Sequence, residues 1–236
     1  MEKESFQGFG EGARRFFAEL GAHNKKEWFN ANKARYEQEI LRPAERFVRE
    51  LGPMLREIYP LLSFDTRKNG AGSIMRIHRD IRFSPDKRPY KENLGLIFWI
   101  GEGKKVELPA FYFHLDSERS FFYGGQHMFP KPTLRRFREA VDEKESGERL
   151  EEILKELEKQ GLKQMEEPAY KRVPRGFDKE HPRSRLLRLG GLGVGTDLKE
   201  EIASPALTER CREFAETLRP LMFWILEMND RPLSAE

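Results

Sequence analysis

Arg76, Arg79, Arg82, Lys87 and Lys91 fall within one sixteen-residue stretch, the densest chemistry in the sequence. An arginine offers a planar fork of donors that fits a phosphate or carboxylate, and a lysine adds a compact point charge. Between Thr66 and Lys91 there are eight Lys or Arg residues against two Asp, a local balance of +6. A second basic window, Pro168 to Leu189, holds seven Lys or Arg against two acids and supplies Arg175 as a further candidate. Two acids cannot neutralise eight bases one to one, so a surplus is left to attract an anionic, phosphate-bearing ligand: a nucleotide, another metabolite or nucleic acid. The competing reading has Asp80 and Asp86 pairing with the arginines and stiffening the loop between Pro85 and Pro89. In an extended strand Arg76 and Arg82 share a face and Arg79 opposes them, so one ligand reaches all three only if the strand ends or twists near Asp80.

Other groups permit other chemistry. His78, Asp80 and Asp86, with Tyr90 nearby, could act as acid and base groups in the same basic pocket, which makes an enzyme the first alternative. No spacing pairs a nucleophile with a base, so catalytic residues stay unassigned. His114 and Asp116 would point the same way on a strand and, with His181, match the composition of a facial metal triad. That motif is short and its third member unconstrained; a hydrogen-bonded His114 beside a turn-forming Asp116 is the plainer reading. Neither a metal nor a cofactor is expected. Gly191, Gly193 and Gly195 do not make the dinucleotide pattern, and no P-loop occurs. Cys211, the single cysteine, lies on an apolar helical stripe and reads as core. A non-catalytic interaction domain, its arginines consumed by internal ion pairs, is the second alternative.

The elements that must hold these residues follow from hydrophobic periodicity. Phe9, Ala13, Phe16, Phe17 and Leu20 predict a first helix, and Asn24 with Glu27 reads as the N-cap of a second carrying Trp28, Phe29, Tyr36 and Ile40. Pro43 opens a third, which Gly52 and Pro53 should break or kink. Residues 73–83 alternate and predict a strand; residues 94–100 read as a central strand; residues 111–129 read as a hairpin with a bulge or close backbone approach at Gly124 and Gly125. Helices are expected at 132–141 and 148–160, an irregular crossing at 166–184, a short strand within 185–194, and a last helix from Ser204 kinked at Pro220. The sum is an α+β domain over residues 1–236, with a mainly antiparallel sheet and N- and C-terminal helices packed on it.

Composition agrees. With 236 residues, 18 Phe and 3 Trp the chain can bury a sizeable core, and one Cys excludes a disulfide framework. The apolar runs are too short to span a membrane, and the polar N-terminus lacks a secretory signal, so a cytoplasmic protein is expected. Oligomeric state is not readable.

The stretch Arg76 to Lys91 resembles the signature of a bacterial and fungal family of uncharacterised conserved hypothetical proteins, in words R-I-x-R-D-x-R-F-S-x-D-K-x-P-Y-K. Phe6 to Phe9 with Trp28 and Phe29, Tyr112 to His114 with Phe121 to Gly125, and Pro174 to Phe177 resemble it in the same order. The glycine-rich run Gly190 to Gly195 departs from it. The resemblance implies an α+β fold and brings no reaction, cofactor or catalytic residue.

Overall fold

A computed structural model describes residues 5–67 and 70–230. Its centre is a six-stranded antiparallel sheet in the order β1-β2-β3-β4-β6-β5. The strands are β1 (Leu62–Ser63), β2 (Asn93–Ile100), β3 (Ala110–Asp116), β4 (Ser120–Gln126), β5 (Lys163–Gln164) and β6 (Leu192–Asp197). The α+β expectation holds, with helices flanking an antiparallel sheet.

Alternation decides which face they cover. Leu94, Leu96 and Phe98 of β2, Phe111, Phe113 and Leu115 of β3, and Phe122 of β4 are fully buried on one face. Against that face lie α1 (Glu11–Ala22), α3 (Arg42–Ile58), α7 (Leu207–Thr217) and α8 (Arg219–Met228). The rings of Phe9, Phe47 and Phe113 meet there at centroid distances of 5.0–5.9 Å. Between α1 and α3 run α2 (Lys26–Ala31) and a turn of wider π-helix over Tyr36–Leu41. α4 (Lys131–Asp142) and α5 (Lys144–Lys159) pack on each other and on α8, extending the same core.

Several expectations need correcting. Residues 73–83 are not a strand. They make two isolated bridges, Ile74 to Leu96 and His78 to Tyr90, and Phe83 at the end of the stretch is 92% exposed. The period fails because Ile74 and Ile77, three residues apart, are the buried pair. Asn24 caps no helix. Its amide closes a two-way bond with the backbone of Tyr90, donating to the carbonyl at 3.0 Å and accepting from the N–H at 3.1 Å. The helix starting at Arg42 runs through Pro53 to Ile58, held by buried Phe47, Val48, Leu51 and Leu55 on one stripe. A Cβ on Gly52 would fall 2.4 Å from the ring of Phe64, so the glycine admits that ring rather than ending the helix. Residues 184–187 form a short helix, α6, and β6 begins at Leu192. The close approach foreseen at Gly125 is present: it has φ +151°, and a Cβ there would lie 2.4 Å from Gly193 Cα. Among the described residues no helix is long and apolar enough to cross a membrane.

Candidate functional site

The other face of the sheet carries Gly95, Ile97 and Trp99 from β2, Ala110, Tyr112 and His114 from β3, Phe121, Tyr123 and Gly125 from β4, and Gly193 and Gly195 from β6. Register puts Ile97, Tyr112, Tyr123 and Gly195 in one lateral row. The glycines leave room for large neighbours. A Cβ on Gly95 would fall 2.6 Å from the Tyr112 hydroxyl, and one on Gly193 only 2.2 Å from that of Tyr123. The two tyrosine rings therefore lie over adjacent glycines.

Residues 73–75 edge this face, the Met75 N–H donating to Gly95 O and Ser73 O accepting from the Ile97 N–H, each at 3.0 Å. From there the chain makes a narrow loop and returns at Tyr90. Lys91 N donates to Ile77 O at 2.8 Å and Arg79 N to Pro89 O at 2.9 Å. Asn24 clamps the returning limb, and the Tyr90 ring stacks on Phe29 at 4.2 Å.

This geometry divides the expected cations. Asp80 accepts from Arg82 Nε and Nη2 at 2.9 and 2.7 Å. Asp86 accepts from Arg79 at 2.6 Å and from Arg88 at 2.8 Å, and Arg88 also reaches Glu92 at 2.6 Å. Lys87 donates to the carbonyl of Ile81. The arginines of the tip are thus paired internally, and Lys87 is tied to the backbone. Hydrogen bonds from Arg82 hold the Asp80 carboxyl down at about 2, and those from Arg88 and Arg79 hold Asp86 lower still. Both are spent as ion-pair partners and make poor proton acceptors at neutral pH.

Arg76 and Lys91, at the base of the loop, differ. Neither makes an ion pair with a described residue, and they meet a third cation that periodicity did not reveal. Lys105 Nζ donates to Gly70 O at 2.6 Å and to Gly72 O, while the stem of Arg76 packs on Gly70, 3.6 Å from where its Cβ would be. Lys91 is half-buried, and its pKa is lowered by burial and then by the neighbouring charge of Arg76. Lys105 is lowered too, by burial first, with Arg67 and Lys91 adding to the effect against Asp65. Arg67 itself is paired with Asp65 at 2.5 Å. Arg175 stands apart, lining hollows with Arg135 and Arg138 of α4 and with Lys171, Lys179 and Arg188.

The remaining candidates are also placed. His78 is exposed, its ring against Tyr90. His114 Nε2 and Asp116 Oδ2 lie 2.9 Å apart, but His181 pairs with Asp142 at 3.4 Å where α4 meets α5, so the triad is not assembled. Among the described residues no group of three or more His, Cys, Asp or Glu is arranged to hold a metal. Cys211 is fully buried, and burial pushes its thiol pKa up.

Sequence reasoning missed a polar trio at the opposite end of the open face. Tyr123 donates to Glu166 Oε1 at 2.5 Å, and His127 Nδ1 lies 3.7 Å from the same oxygen. Glu166 is 8% exposed, and its other oxygen has no hydrogen-bond partner among the described residues. Contact with this carboxylate raises the His127 pKa against the opposing effect of desolvation. Burial, then the charge of Glu166, pushes Tyr123 well above the ordinary phenol range.

The sequence pattern of the conserved hypothetical protein family DUF2461 matches residues 13–224, and the chain belongs to that family. No curated protein matches the chain.

Proposed function

We propose that this protein binds a small organic anion, a carboxylate or phosphate, with Arg76, Lys91 and Lys105. The observation that carries the reading is a contrast within one loop. Arg79, Arg82 and Arg88 have carboxylate partners and Lys87 is held by the carbonyl of Ile81, whereas Arg76 and Lys91 have no ion-pair partner among the described residues; Arg76 and Lys105 meet at Gly70, and Lys91 feels the charge of Arg76. Lys91 and Lys105 are half-buried and Arg76 is exposed beside them, and collecting like charges there costs stability in the empty protein. An anion bridging them removes that cost and gains charge-assisted hydrogen bonds. Arg79, Arg82 and Lys87 act here by fixing the loop, and Arg175 belongs to another surface. A nucleic-acid partner would favour an open strip of donors; Lys105 lines a concave face instead, which favours a small ligand.

The test is a calorimetric and NMR titration with inorganic phosphate at low ionic strength. Each charged hydrogen bond is worth about 1.5–3 kcal/mol, so replacing both Arg76 and Lys91 by Met should weaken binding by roughly two to four orders of magnitude. Arg175→Ala should leave it unchanged. No binding by the wild type, or equal binding by the folded double variant, would overturn the proposal. Loss of binding in Arg175→Ala alone would move the site to the other basic window.

A further inference from the structure

The open face beside Lys105 is hollow. A concavity of about 430 Å³ is lined by Met75, Ile97, Leu108, Ala110, Tyr112 and Phe121, with Lys105 in its wall and Tyr123 and His127 at its far end. That volume is within the range of small-molecule sites, roughly 300–1,000 Å³, which are mostly apolar with a few placed polar groups. We infer that the hollow takes the apolar body, aromatic or branched aliphatic, of the same anion whose charged head meets Arg76, Lys91 and Lys105. The inference rests on the anion-binding reading and adds the class of ligand to it.

Three observations support it independently of charge. First, the floor is flat and apolar by construction. Gly95, Gly193 and Gly195 remove side chains where Tyr112, Tyr123 and Met165 lie over the sheet, and Ala110 and Gly125 face each other across the next row. A flat ring is the shape such a floor accommodates, stacking on Phe121 or Tyr112. Second, two of the few large apolar side chains left in solvent stand on the rim. Val106 is 53% and Met165 38% exposed, and both line the hollow, so an apolar occupant would cover them. Met75 and Met165 on its walls are the flexible, polarizable side chains that adapt to a guest. Third, the two recognition features share Lys105, which is in the wall with its ammonium at the Gly70 turn. Lys105 donates to two carbonyls, and an ammonium has three N–H groups, so one is left for a ligand oxygen. Its ammonium also lies 5.6 Å from the centre of the Trp99 ring.

The polar trio at the far end bounds the guest. Tyr123 spends its proton on Glu166, so this end offers His127 as its polar rim and no free cation pair to compete for the head group.

The experiment compares inorganic phosphate with 2-naphthyl phosphate on the full chain by calorimetry, using three variants. The naphthyl ester should bind the wild type at least tenfold more tightly than inorganic phosphate. Ala110→Leu, which fills the hollow, should abolish that advantage and leave inorganic phosphate unchanged. The pair Val106→Asn with Met165→Gln changes rim positions that are 53% and 38% exposed, keeps their approximate size, and should reduce the advantage several-fold. Arg76→Met with Lys91→Met should weaken both ligands. Equal affinities for the two phosphates in the wild type would overturn the inference while leaving the anion site intact. A naphthyl advantage that survives both hollow variants would also overturn it. Tight naphthyl binding indifferent to the Arg76 and Lys91 changes would overturn both the inference and the reading beneath it.

Discussion

Lys91→Met should make the empty protein more stable and the ligand-bound protein less so. In the fold Lys91 is half-buried beside Arg76 and lacks a carboxylate among the described residues, so its charged form is disfavoured and its pKa lies below the ordinary lysine value. Between the lowered folded pKa and the unfolded one the unfolded chain binds more protons, so stability rises with pH across that window. Below it, at neutral pH, the whole cost of the charge is felt. Methionine keeps the alkyl stem and removes the charge. On the scale of partly exposed charge contacts the gain is a few tenths to about 1 kcal/mol. For a chain of this length that is about 1–4 °C in Tm. Inorganic phosphate at ten times its Kd should stabilise the wild type by about 1.4 kcal/mol, or roughly 3–6 °C. A tenfold or greater loss of affinity cuts that response in Lys91→Met to less than about 2 °C at the same concentration. Differential scanning calorimetry at pH 7 and low salt, with and without phosphate, reads both numbers. The advantage of the variant should shrink as pH rises toward 10.5, where wild-type Lys91 loses its proton in both states. A variant less stable than the wild type without phosphate, or equally stabilised by it, would refute the reasoning.

Two further predictions follow from the open face. His127 should titrate in NMR above its ordinary value, and Glu166→Gln should bring the midpoint back down; because the folded pKa is raised, the favourable contact is present at low pH and fades as pH rises through that midpoint. A His127 midpoint unmoved by the substitution would show that Glu166 does not govern it. Gly193→Ala puts a methyl group 2.2 Å from the buried Tyr123 hydroxyl and should cost roughly 1–3 kcal/mol, lowering Tm by about 2–12 °C; an unchanged Tm would mean the ring yields freely.

The sequence made the periodic elements readable and the irregular ones not. Helical stripes such as Phe16, Phe17 and Leu20, and alternation in Phe111, Phe113 and Leu115, gave helices and strands near their observed positions because one face of each is buried against the same core. Residues 73–83 misled because Arg and Ile alternate there for a different reason. The arginines serve Asp80 and Asp86 in a loop, and pairing with the sheet stops after Met75. Asn24 looked like a cap because its type and spacing suit one; only the tertiary fold shows Tyr90 taking its amide. Gly52 and Pro53 suggest a break or kink, and the packing of the helix carries it on through them to Ile58. For the proposed site, the sequence placed Arg76 and Lys91 within a cluster but could not separate them from their ion-paired arginine neighbours. Lys105 lies in a short 3-10 turn, and Glu166 is some forty residues along the chain from Tyr123 and His127. Nothing local in the sequence marks them; register and loop return bring them to one face.

The central claim is most directly tested by a crystal structure of the full chain with 2-naphthyl phosphate. The phosphorus should lie within about 4 Å of the Arg76 guanidinium and the Lys91 and Lys105 ammonium groups, hydrogen-bond reach for its oxygens, with the naphthyl ring over Ile97, Tyr112 and Phe121. Density for the phosphate on Arg175 or at the Arg82 tip, with the hollow over the sheet empty, would contradict the account.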